Sequence, residues 1–151
     1  LKLLAVDPGE GRNKKTIGVA ILDSDRDSVV SVDQFDMEEF ISYLEQLEHI
    51  DVVVHEDYRI RKNRATHHIG SRVETVQCIG ALRSWCTRNG IPLYKQESYI
   101  LPTAEKFFNM KLPSNHDQSH YVSALLHGMF YLNKLGLWKT YLEREFLESG
   151  E

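Results

Sequence analysis

Apolar positions along the chain alternate between two spacings. Lys2–Val6 is a short apolar run that stops at Asp7-Pro8-Gly9, the pattern of a buried strand closed by a turn. Runs of the same kind return over Thr16–Leu22 and Val29–Phe35, so the first third of the chain predicts three strands in an antiparallel meander. The polar, basic stretch Glu10–Lys15 is the loop between the first two. The spacing then changes to threes and fours. Phe40, Ile41, Leu44 and Leu47 put a helix over Met37–Leu47, with Asp36 placed to cap it. Ile50–Val54 is short and β-branched and ends at Glu56, which fits a parallel strand buried on both faces.

The second half continues the alternation of helix and strand. Ile69, Val73, Val76, Ile79, Leu82 and Trp85 give a long amphipathic helix over Ile69–Cys86, closed by Asn89-Gly90. Ile91–Tyr94 is a fifth strand, Thr103–Phe108 a short helix, and Asp117–Leu135 a last long helix announced by Pro113-Ser114-Asn115. Trp138–Phe146 reads as a tail helix with Trp138, Tyr141, Leu142 and Phe146 turned outward. A strand-rich start followed by helix and strand in turn is an α/β fold, with a mixed five-stranded sheet, three strands antiparallel and two parallel. The 151 residues fit one domain over 1–151, with 136–151 as a helical tail.

Composition narrows the setting. No apolar run approaches the roughly 20 residues that a membrane span needs, and the start lacks the basic and small-residue signature of a secretory signal, so the expectation is an intracellular protein with no membrane partner. Cys78 and Cys86 fall on one helix about 12 Å apart at 1.5 Å per residue, too far for a disulfide. The net charge of −4 argues against a generally basic nucleic-acid binder. The distribution argues the other way, because Tyr58 to Val73 contains no acid while Arg59, Arg61, Lys62, Arg64 and Arg72 are joined by His67 and His68.

Three acids stand at element ends: Asp7 after the first strand, Glu56 at the end of the fourth, and Asp117 at the start of the last helix. Ligands in α/β proteins gather at such ends. Convergent carboxylates suit hard divalent cations, and His120, three residues after Asp117, projects from the same helix face as a fourth ligand. Each residue also has a structural reading. Asp7 fits a turn, Glu56 an exposed strand end, Asp117 the positive end of a helix dipole, and His120 an ordinary surface or core histidine. No Walker loop or dinucleotide fingerprint is present, and no small-molecule cofactor is expected.

The order of Asp7-Pro8-Gly9, Thr16-Ile17-Gly18-Val19-Ala20 and Val52-Val53-Val54-His55-Glu56, then a basic loop and a glycine-containing helix, resembles RuvC-type Holliday junction resolvases of the ribonuclease H-like superfamily, especially the short phage-borne ones. The likeness runs over most of Leu1 to Leu132. It implies a ribonuclease H-like fold and a two-metal-ion endonuclease, with Asp7, Glu56, Asp117 and His120 binding two Mg²⁺ or Mn²⁺ ions. It further implies a four-way DNA junction as substrate, a homodimer to match that symmetry, and Tyr58 as an aromatic wedge. The DNA contacts expected are Tyr58, Arg59, Arg61, Lys62, Arg64 and Arg72, with Arg12, Lys14 and Lys15 from the first loop. Two departures stand out: the loop after Gly9 is longer than usual, and the last helix reads Asp-Gln-Ser-His where a second acid is commoner. The rival within the same fold is a nuclease acting on RNA or on flaps. An actin-like ATPase needs two such domains, and a non-catalytic junction binder has no use for mutually repelling carboxylates.

Overall fold

The run of apolar residues at the start forms the centre of a sheet. The structure is a computed structural model and describes residues 1–9, 14–57, 69–114 and 116–150, with the backbone alone for 69–73 and 116–118. Among the described residues there are five strands: β1 (Lys2–Asp7), β2 (Ile17–Asp23), β3 (Ser28–Phe35), β4 (Val52–Glu56) and β5 (Leu93–Gln96). Their order is β3-β2-β1-β4-β5. β1 runs antiparallel to β2 and β2 to β3, while β1–β4 and β4–β5 are parallel. The mixed α/β sheet expected from the sequence is therefore borne out.

Side-chain alternation divides the strands between two layers. Leu4, Val6, Val19, Ile21 and Val53 face α1 (Met37–Gln46) and α2 (Ile69–Asn89), meeting Phe40, Leu44, Cys78, Leu82, Trp85 and Cys86. Leu3, Ala5, Ala20, Leu22, Val52 and Val54 face the opposite way, onto Ala124, Leu125, Met129 and Leu132 of α4 (His116–Lys134). Because β1 and β4 are covered on both sides, they read as continuous apolar runs. α3 (Leu101–Phe108) packs beside α4 through Ala104 and Leu126. Asp36 caps α1 as expected, accepting from the Glu39 N–H at 2.9 Å while Glu39 returns the bond.

Three local expectations shift. The fifth strand begins two residues later than the pattern suggests, because Ile91 N–H bonds Cys86 O at 2.9 Å and Gly90, at φ 65, turns the chain out of the helix. That displacement brings Gln96 into the sheet. The stripe read on α2 is rotated: Val76 is 53% exposed, and the buried positions are Thr75, Cys78, Leu82, Trp85 and Cys86. Cys78 and Cys86 are both free and buried, as their spacing implies. Trp138 turns inward rather than outward, joining the core below α4 with the Arg144 guanidinium over its ring. The remainder of the tail forms α5 (Tyr141–Ser149), on which Leu142 and Phe146 do face solvent. Among the described residues no helix is long and apolar enough to cross a membrane.

Candidate metal centre

Strand register draws the polar residues into a line. Asp7 pairs with Gly18, and Gly18 with Gln34. On the other side Val6 pairs with His55, so Asp7 and Glu56 are the next residues on adjoining parallel strands, and Glu56 in turn pairs with Gln96. One row thus crosses all five strands: Gln34, Gly18, Asp7, Glu56 and Gln96. Asp7 follows Leu3 and Ala5 in alternation, and Glu56 follows Val52 and Val54, so both carboxylates emerge on the α4 layer.

α4 lies along this row. Gln34 accepts the Tyr121 N–H at 3.1 Å and donates to Lys15 O at 3.0 Å. Gly18 is needed beneath the helix, since a Cβ there would stand 2.0 Å from the His120 carbonyl oxygen. Next along the row, His120 Nδ1 lies 3.5 Å from Asp7 Oδ2. Farther on, Glu56 Oε2 accepts from Ser123 Oγ at 3.1 Å and pairs with His127 Nε2 at 2.9 Å. Gln96 Nε2 closes the row against His127, 2.8 Å from Nδ1 and 3.0 Å from its carbonyl oxygen. His120, Ser123 and His127 are three and four residues apart and so form one stripe of α4.

The electrostatics follow from burial. The Asp7 carboxyl is held above the usual carboxylate range chiefly because it is withdrawn from water; neighbouring Glu56 adds to the rise, while His120 opposes it. Two carboxylates side by side at the edge of a core, with imidazoles above them, are oxygen and nitrogen donors whose mutual repulsion a divalent cation relieves. The donor chemistry therefore fits the expected metal. Among the described residues no group of three His, Cys, Asp or Glu side chains is drawn together closely enough to hold an ion. Adjacent His55 belongs to the other layer, where its Nδ1 bonds Glu56 O at 2.8 Å and burial lowers its pKa.

Of the residues singled out from sequence, Asp7, Glu56 and His120 are thus brought to one row. Asp117 is in the first turn of α4, one turn before His120, and its side chain lies outside the described residues. Tyr58, Arg59, Arg61, Lys62, Arg64 and Arg12 also lie outside them, as does the side chain of Arg72. Lys14 is exposed, and Lys15 reaches Glu39 of α1 at 3.4 Å. Sequence reasoning missed Ser123, His127 and Gln96. His127 is signalled only by its seven-residue spacing from His120, and Gln96 only once the strand register is known.

No protein-family model matches the chain, and no curated protein matches it in sequence. Solved structures do match. Thermus thermophilus RuvC in complex with a Holliday junction substrate superposes with a TM-score of 0.60 at 10% identity, covering 93% of this chain and 99% of that one. A second Thermus thermophilus RuvC structure gives a TM-score of 0.57 at 14% identity over the same shares. The chain has the ribonuclease H-like fold of its RuvC structural neighbours.

Proposed function

We propose that the protein is a metal-dependent endodeoxyribonuclease that resolves four-way DNA junctions. The observation that carries this reading is the placement of Asp7 and Glu56 side by side on parallel strands, both turned toward α4, in a chain with the RuvC fold. Asp7, Glu56, His120 and Asp117 are the proposed ligands, and Mg²⁺ or Mn²⁺ the ions, two per site. When bound, such ions supply an activated water and stabilise charge on the departing 3′ oxygen. The chain's own part is to aim the carboxylates and to exclude water on the core side. Tyr58, Arg59, Arg61, Lys62, Arg64 and Arg72 are the proposed DNA grip, together with Arg12, Lys14 and Lys15 of the first loop. A homodimer offers two such sites to a symmetric junction.

The deciding experiment is cleavage of a synthetic four-way junction, a flap and an RNA–DNA hybrid by the wild type and Asp7→Asn, with Mg²⁺ and Mn²⁺ supplied separately. Paired symmetric nicks in the junction are expected from the wild type, and binding without cutting from Asp7→Asn. Preferential cutting of the flap or hybrid would retain the nuclease and replace the substrate. Cutting by Asp7→Asn at the wild-type rate would remove the metal centre from the reaction.

A further inference from the structure

We propose that His127 is a positioning residue for Glu56, locked by Gln96 in the tautomer that carries its proton on Nε2. The inference rests on the reading of Glu56 as a metal ligand and adds to it a fixed direction for the carboxylate. The side chain of His127 is fully buried, whereas Glu56 is 23% exposed, so the imidazole lies on the core side of the carboxylate.

The tautomer follows from the hydrogen bonds. Gln96 Nε2 stands 3.0 Å from the His127 carbonyl oxygen, which can only accept, so that end of the amide is its NH₂. The same nitrogen lies 2.8 Å from His127 Nδ1. An NH₂ facing Nδ1 requires a lone pair there, which leaves the ring proton on Nε2, pointing at Glu56 Oε2 at 2.9 Å. Ser123 Oγ reaches the same oxygen at 3.1 Å. Two donors on Oε2 pin the rotation of the carboxylate, and Oε1 becomes the oxygen presented to a cation. Gln96 can act this way only because β5 is registered with β4 at Glu56, which puts the two residues side by side.

A buried histidine on the inner face of α4 could instead serve packing alone, so the test separates donor from volume. Mn²⁺ affinity, measured by calorimetry in the absence of DNA, is compared among wild type, Glu56→Gln, His127→Phe and His127→Gln, each checked by thermal melting. Phenylalanine keeps the ring and loses the donor; glutamine keeps a donor at the Nε2 position. His127→Phe is expected to weaken Mn²⁺ binding about 10- to 100-fold, the usual effect of losing a partner of a metal ligand, and His127→Gln to restore it to within about threefold. Equal affinity in wild type and His127→Phe, or failure of His127→Gln to rescue, would overturn the inference while leaving Glu56 a ligand. No Mn²⁺ binding by wild type, or none lost in Glu56→Gln, would bring down the metal-centre reading and this inference with it. The wild type supplies a second readout that needs no folded variant: nitrogen-15 NMR of His127 at neutral pH should show the Nε2–H tautomer, and an Nδ1–H tautomer would refute the lock.

Discussion

Asp7 illustrates how a candidate site residue opposes folding. Its carboxyl is raised above its unfolded value by burial and by Glu56, so the metal-free folded protein holds that proton more tightly than the unfolded chain does. The stabilisation this gives is complete below the unfolded value near pH ~3.9 and is lost as pH rises through the higher folded value. Asp7→Asn should therefore melt above wild type at pH 7 in chelator, at about 2 to 4 °C per kcal/mol recovered, with the gap closing toward pH 3. Equal or lower melting at pH 7 would contradict the assigned cost. Asp7 and Glu56 could be picked out from sequence because each closes a strand, and His120 because it stands three residues after Asp117 on one helix face. His127 could not, since a histidine among Ala124, Leu125, Leu126 and Met129 looks like one more position on a buried helix. Its role is set by Gln96, a residue 31 positions away.

Among the elements, α4 does the most to build the site, and Gly18 is what lets it approach. Any side chain at Gly18 meets the backbone of α4, which cannot swing aside as a flexible side chain would. Gly18→Ala is expected to cost about 1 to 3 kcal/mol and to shift His120 off Asp7, so chemical denaturation and Mn²⁺ affinity should fall together. Wild-type values for both would show that the contact is soft. Helix and strand identities could be read from spacing because period two and period three to four are distinct over this length. The buried face of α2 could not, because its apolar residues fall on more than one side and only packing against Leu4, Val6 and Phe40 selects Cys78, Leu82 and Trp85. The late start of β5 was hidden for a related reason. Ile91 and Pro92 look strand-like, yet Ile91 is taken by the end of α2.

At the scale of the whole molecule, side-chain polar ties join segments distant in sequence. Arg144 of α5 grips Asp27 in the β2–β3 turn with two bonds of 2.6 and 2.7 Å. The Arg144 hydrogen bonds hold the Asp27 carboxyl below its usual range, so the tie stabilises above pH ~3.9 and weakens as pH falls through the lower folded value. Both partners are substantially open to solvent, at 33% and 53%, which limits the contribution to about 1 kcal/mol. Arg144→Ala should lower the urea midpoint at pH 7, and the deficit should narrow toward pH 3; a constant deficit would assign the loss to Trp138 packing instead. The sheet carries a sharper constraint. His55 and Glu56 are successive residues that serve opposite layers, so deleting one residue within β4 would exchange them, handing the imidazole to α4 and the carboxylate to the apolar side against α2. Such a frame error leaves every side chain of the centre intact in composition and none of it assembled, so random shortening of this strand should yield inactive proteins without graded intermediates.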